Sequence, residues 1–377
     1  VIAWNVFQHF YPYFDVVDVD WDKQLTRSLR RALADESGKD FYLTLSELVA
    51  KLEDGHGRVF HADYSPTAGL PLQLDWVEGK AIVTASGDER VERGDIVVRI
   101  DGMDTREAVI EAERYISGSP QWKRWRAMRE IFAGEEESTA ELVIRRGESS
   151  LDVEITRQKS GPGSASPTEP RPESIEELEP DVYYVDLSRA EITEIDEKMG
   201  EIAAARGVIF DLRGYPNGTH KVISHLLEAP DTTADWLRVA QITHPDHVEP
   251  AGYREAGWNM KPLEPHIEAK VVFMTDGRAI SYAESVMGFV EGYRLAEIVG
   301  QPTAGANGNV VSMELPGGFR VMWTGMKVVK HDGSQQHLIG ILPTVPAERT
   351  IAGVREGRDE VLEKALEVVK RGDDEES

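Results

Sequence analysis

A serine stands at residue 281 in the stretch VVFMTDGRAISYAESV, which runs from Val271 to Val286. VVFM reads as a buried strand, Asp276-Gly277 breaks it, and SYAESVMGFV resumes as a helix. A serine at a strand-to-helix turn can be a nucleophile, with small residues on either side (Ala279 and Ala283) that let the backbone turn tightly. It can equally be a plain helix cap. Its oxygen would then satisfy an orphan N–H, and Glu284 three residues on would complete a capping box. The two roles are compatible. A helix starting here aims backbone N–H groups, that of Tyr282 included, at negative charge forming on an attacked carbonyl.

A serine nucleophile needs a base that titrates near neutrality, and histidine is the usual one. His56, in KLEDGHGRVFH, lies between two glycines just past a predicted helix end, where it is free to point into a cleft or to remain a surface or capping histidine. His61, His220, His225, His331 and His337 compete for the role. Two turn-rich loops add to the set. RGYPNG, residues 213–218, follows the strand VIFDL, and its amides, Gly214 included, are a second source of oxyanion donors or simply a connection. QPTAGANGNV, residues 301–310, follows the strand AEIVG. HExxH and GxxxxGK[ST] patterns are absent and the histidines are dispersed, so no cofactor or metal is called for.

The elements that must carry these residues follow from periodicity. Residues 1–65 read as a helical N-terminal segment: WDKQLTRSLRRALA is capped by Asp20 or Asp22, and DFYLTLSELVAKLED places Tyr42, Leu45, Leu48, Val49 and Leu52 on one face, ending at Asp54-Gly55. Residues 66–158 alternate short β-like runs with turns, with one amphipathic segment, REAVIEAERYI, and an insertion at 117–136 whose Trp122 and Trp125 read as packing residues. Residues 159–180, rich in Gly, Pro, Ser and Glu, read as a linker. Residues 181–372 alternate strands and helices in the βαβ rhythm of a largely parallel sheet, and an acidic tail at 373–377 follows the last helix. The fold class is therefore α/β in an α+β multidomain chain.

Composition narrows the function further. The chain has 377 residues, no cysteine and a formal net charge of −25. Thiolate nucleophiles, disulfides and Cys-based zinc sites are excluded, and an acidic surface argues against nucleic acid as a partner. No apolar run is long enough to span a membrane. The first residue, Val1, already lies inside a dense aromatic segment, so the chain reads as a trimmed or mature form.

Taken in order, the pieces resemble the carboxy-terminal processing (tail-specific) serine proteases and their tricorn-core relatives. FYPYFDVVDVDWD and the LxDGH at Leu52–His56 resemble the family's helical N-terminal part. ERGDIVVRIDGMDTREAV is similar to half of a PDZ domain. VIFDLRGYPNG is similar to its DLRxNxGG loop, with Tyr215 where Asn is usual. ISYAES, IVGQPTAGANG, GILPTVPAERT and GRDEVLEKAL complete the series, with Thr344 where the GIxPDI segment has Asp.

The resemblance implies a helical N-terminal portion, a PDZ-like β domain and a protease core of the ClpP/crotonase type. It implies a serine endopeptidase with Ser281 as nucleophile, His56 as base, and Tyr282 and Gly214 as backbone oxyanion donors. The substrate implied is a peptide or unfolded protein, bound through its C-terminus, and the location an exported one, in a periplasm or at a cell surface. Many members use a lysine in the loop where this chain has Ala306, so a Ser-Lys dyad there is excluded. In the tricorn branch a serine precedes the histidine and a glutamate lies near GIxP. Here Gly55 precedes His56, and His337, Gln336 and Asp54 are the residues available to orient it. The alternative is a non-catalytic peptide- or ligand-binding relative, which the missing lysine and glutamate would fit.

Overall fold

The computed structural model describes residues 1–159, 167–242 and 250–371. Three helices open the chain: α1 (Ile2–Phe10), α2 (Trp21–Ala32) and α3 (Gly38–Ala50). Asp20 caps α2 by accepting from Lys23 N, and Ser37 caps α3 by accepting from Asp40 N. Helix α3 stops at Ala50, short of the Asp54-Gly55 end expected from periodicity, and Glu53 takes a positive φ of 51° in the turn that follows. Its apolar face (Leu45, Leu48, Val49) buries with Phe7, Tyr11, Tyr13 and Trp21 against a hairpin from the other end of the chain, through Phe319, Val321 and Trp323.

That hairpin pairs strand Val310–Leu315 with Phe319–Thr324, and the short strand Arg58–Phe60 adds antiparallel to the latter. The register sets Arg58 opposite Met322. Continued two residues outward, the same register brings His56 opposite Thr324, with side chains on the same face because strand side chains alternate.

Residues 72–156 form an antiparallel sheet in which strand Leu72–Val77 is an edge, paired with Lys80–Ser86. Helices α4 (Thr105–Glu113) and α5 (Pro120–Glu130) cover it. Trp122 is buried, as a packing role predicts, whereas Trp125 is only half-buried.

The largest of the other sheets is mostly parallel. Its order is Ile175–Glu179, Val182–Asp186, Gly207–Asp211, Lys270–Thr275, Glu297–Gly300, Val345–Pro346, with only the first strand antiparallel. Val271–Met274 of strand Lys270–Thr275 are apolar and buried because both faces are covered. Val271 and Phe273 meet α6 (Ile192–Ala204) and α7 (Tyr282–Tyr293), whereas Val272 and Met274 meet α9 (Glu360–Lys370), which follows the short α8 (Ile351–Glu356).

Three features differ from the sequence reading. Residues 175–179, assigned to the linker, form the outer strand; its acidic side chains suit an edge. KVISHLLE is a 3₁₀ turn over Thr219–His225 rather than an α-helix. The hairpin carrying Thr324 was not anticipated, although its Pro-Gly-Gly turn between alternating residues signals one. Part of the linker, 160–166, and the acidic tail lie outside the described residues.

One buried ion network ties the sheet to α9. Arg213 donates to Asp211 Oδ2 at 2.7 Å and to both oxygens of Asp359 at 2.8 and 2.7 Å. Burial pulls the Asp211 carboxyl upward, but the Arg213 guanidinium outweighs it and holds the group far below the usual carboxylate range. Arg213→Ala removes the cation shared by two carboxylates, leaving Asp211, among the described residues, only the longer ion-pair contact with Arg171 at 3.6 Å, and we expect a loss of about 3–5 kcal/mol in urea unfolding. A loss below about 1 kcal/mol, typical of exposed pairs, would mean that other contacts hold the 213–218 loop.

Candidate active site

Ser281, Gly214 and the 301–308 loop all follow the carboxyl ends of neighbouring parallel strands, where open α/β sheets gather ligands. Ser281 immediately precedes α7 with φ 60° and ψ −113°, a conformation a non-glycine residue adopts only when its surroundings enforce it. Two hydrogen bonds do so: Ser281 N donates to Ala306 O at 2.9 Å, and Ala304 N donates to Ala279 O at 2.8 Å. The serine side chain makes no capping hydrogen bond, so the cap reading is not realised.

Glu284 is not part of a capping box either. It is fully buried and turns toward the 301–308 loop. There its Oε1 accepts from Thr303 Oγ1 at 2.5 Å and Gly305 N at 2.8 Å, and its Oε2 accepts from Ala306 N at 2.7 Å. Burial pushes this carboxyl up to about 7, against the pull of those donors. The SxxE spacing thus places the nucleophile candidate and the clamp of its neighbouring loop on one helical turn.

His56 arrives from the opposite end of the chain. Its loop packs on the serine turn: a Cβ on Gly55 would lie 2.7 Å from Ala306 Cβ and 3.2 Å from Ile280 Cδ1. Hence a serine before this histidine would force the serine turn and the 301–308 loop apart. Residues 117–121 brace both loops. Ser117 Oγ accepts from Asp54 N at 2.8 Å, Ser119 Oγ donates to Ala304 O at 2.6 Å, and Gln121 Nε2 donates to Thr303 O at 2.8 Å. The start of the 117–136 segment is therefore a clamp between His56 and the 301–308 loop, a role its composition does not reveal.

The His56 ring has Nδ1 at 2.8 Å from Thr324 Oγ1 and at 3.8 Å from Asp54 Oδ1. Asp54 is completely buried and accepts from His56 N at 3.0 Å, Thr324 N at 2.6 Å and Thr324 Oγ1 at 2.7 Å. Burial lowers the His56 pKa below the ordinary 6.5, with Asp54 opposing and Arg58 reinforcing. Among the described residues no hydrogen bond joins His56 to Ser281.

The five histidines that compete with His56 in the sequence have partners elsewhere. His337 stacks on Tyr13 at 3.9 Å and its Nε2 pairs with the Tyr11 hydroxyl at 3.2 Å; burial lowers its pKa to about 4. Gln336 is buried, with its Nε2 unpartnered. Neither bonds His56, so of the three orienting residues named from sequence only Asp54 bonds it, through the His56 backbone N–H, with the ring nitrogen 3.8 Å away. His220 Nδ1 lies 2.5 Å from the Tyr282 hydroxyl, and His61, His225 and His331 bond Gly317 O, Pro265 O and Thr233 Oγ1. Gly214 is half-buried beside Ser188, whose Oγ a Cβ on the glycine would meet at 2.9 Å, and its neighbour Tyr215 contacts the Tyr282 ring at 5.9 Å. The oxyanion candidates Tyr282 and Gly214 thus belong to adjoining segments.

The fold is shared with solved peptidase structures. Mature CPAF complexed with lactacystin aligns with a TM-score of 0.77 at 14% identity, covering 98% of this chain and 96% of that one. A putative peptidase from Parabacteroides merdae aligns with a TM-score of 0.58 at 15% identity, covering 97% and 94%. At such identities the likeness is one of fold. Residues 181–347 match the family model of peptidase family S41, so this part of the chain is a domain of that peptidase family. No curated protein matches the sequence.

Glu284→Gln tests the clamp. One amide face would present N–H groups to Ala306 N–H, a donor against a donor. We expect a stability loss of about 1–3 kcal/mol by thermal or urea unfolding, together with loss of activity. A variant of wild-type stability and activity would show that the loop is held by other means.

Proposed function

We propose that the protein is a serine endopeptidase of the tail-specific, C-terminal processing type. The observation that carries this reading is the forced backbone of Ser281 at a strand-to-helix turn, with its hydroxyl spent on no cap and Tyr282 N–H beside it. Ser281 Oγ attacks a peptide carbonyl as His56 Nε2 takes its proton. The N–H groups of Tyr282 and Gly214 receive the oxyanion, His56 returns the proton to the leaving amine, and water then releases the acyl group by the same route. The lowered His56 pKa supports the assignment, because the base must be neutral to accept the proton.

The sheet of residues 72–156 is read as the PDZ-like module that captures the substrate tail. A cleft of about 710 Å³ supports this, lying between α3, strand Arg58–Phe60 and that sheet. Leu72, Gln73 and Leu74 of the edge strand line it, which suits capture of an extended peptide by strand addition. Arg58, Arg126 and Arg129 also line it. Arg58 Nε is buried without a partner, and burial with Arg126 beside it pushes the guanidinium down to about 10. Crowded cations in an acidic protein suit a carboxylate. Export to a periplasm or cell surface belongs to the same reading.

A fluorophosphonate probe followed by peptide mapping tests the nucleophile. The adduct is expected on Ser281, and it should be lost in Ser281→Ala and His56→Ala. A folded wild-type protein that takes no adduct would favour a non-catalytic binder.

Two further outcomes are expected. The acid limb of kcat/KM should fall below pH 6.5, since activity is lost only as His56 becomes protonated and its pKa is lowered; a limb above 6.5 would contradict the assignment. Arg58→Ala should raise KM about tenfold, the scale of one charge-assisted hydrogen bond, for peptides with a free C-terminus and leave amidated peptides unaffected. Equal effects on both would argue against carboxylate capture.

A further inference from the structure

The geometry points to Thr324 as a positioning residue for His56: its hydroxyl bridges the Asp54 carboxylate to the imidazole and fixes which ring nitrogen is free. This inference rests on the serine–histidine reading above. The assignment follows from counting protons. Thr324 Oγ1 carries one hydrogen and stands 2.7 Å from Asp54 Oδ1 and 2.8 Å from His56 Nδ1. An ionised carboxylate accepts only, so the threonine hydrogen goes to Asp54. The oxygen then offers its lone pairs to His56, and Nδ1 must be the protonated nitrogen. Nε2 is left bare, as a general base requires.

Asp54 cannot do this alone, because Nδ1 is 3.8 Å from its nearer oxygen, beyond hydrogen-bond reach. Its carboxylate is itself held by three donors, two of them on Thr324. Strand pairing supplies the rest: the register of Arg58–Phe60 with Phe319–Thr324 delivers Thr324 opposite His56. Both polar partners are completely buried, so water does not compete for the bonds. When Ser281 gives its proton to Nε2, the imidazolium keeps its Nδ1–H on Thr324 Oγ1. The threonine proton stays directed at Asp54, and no proton crosses the bridge. The carboxylate then stabilises the cation at one remove through an aligned hydroxyl dipole.

The test compares Thr324→Val, which removes the hydroxyl, with Thr324→Ser, which keeps it. Thr324→Val should lower kcat about 10- to 1,000-fold, within the loss expected when a base's orienting partner is removed, with KM little changed. Its acid limb should also move to lower pH, because the imidazolium loses its stabilising partner. Thr324→Ser should stay within about threefold of wild type. Wild-type kcat in Thr324→Val, or equal losses in the two variants, would overturn the proposal; the second result would mean that the methyl group matters and not the hydroxyl. Nitrogen-15 NMR of the wild-type His56 ring provides a readout independent of catalysis and of whether the valine variant folds. A neutral ring protonated at Nδ1 is expected, and one protonated at Nε2 would overturn the bridge. If His56→Ala were fully active while the wild-type ring was protonated at Nδ1, the peptidase mechanism would fail and the bridge would stand.

Discussion

The arrangement depends on one strand pairing, that of Arg58–Phe60 with Phe319–Thr324. It joins segments more than two hundred residues apart and holds the loop of a histidine near the start of the chain against the turn that carries Ser281. The apolar cluster beneath it, from Phe7 through Leu48 to Val321 and Trp323, makes the pairing permanent. Burying side chains of this size contributes roughly 1.5–3 kcal/mol each, more than an isolated three-residue strand could supply by its backbone bonds. Such a pairing is non-local and must await the sheet that carries the hairpin. The site is therefore complete only when the whole chain has folded.

Around that pairing, buried carboxylates organise the loops. Glu284 fixes residues 303–306, Asp54 fixes the His56 turn and the end of the hairpin, and Asp211 with Asp359 brackets Arg213 at the foot of the 213–218 loop. Each accepts several donors, which offsets the cost of burying it. The strain at Ser281 is the counterpart: the backbone is held in an unfavourable conformation by hydrogen bonds to the 301–308 loop.

Much of this was legible in the residues. The apolar runs VIFDL and VVFMTD, helices α6 and α7 on either side of them and the turn at Asp276-Gly277 follow from hydrophobic period and breaker residues, and they place Ser281 and Gly214 at strand ends. The link between His56 and the serine turn rested on resemblance, because one-dimensional periodicity says nothing about which distant strands pair. Thr324 was missed for the same reason. A threonine in a β-rich run, GFRVMWTG, is ordinary, and only the register makes it a partner of His56. Glu284 looked like the far end of a capping box because spacing along a helix cannot tell a carboxylate that turns back to its own N-terminus from one that reaches across to a neighbouring loop. The IEELE segment reads as linker by composition because an edge strand can be as polar as a loop.

The most direct measurement is a crystal structure of the protein acylated by a serine-directed peptide inhibitor. The account predicts continuous density from Ser281 Oγ, with the acyl oxygen within hydrogen-bond distance of Tyr282 N and Gly214 N and His56 Nε2 facing the ester. An adduct on another residue, or an acyl oxygen turned away from both amides, would contradict it.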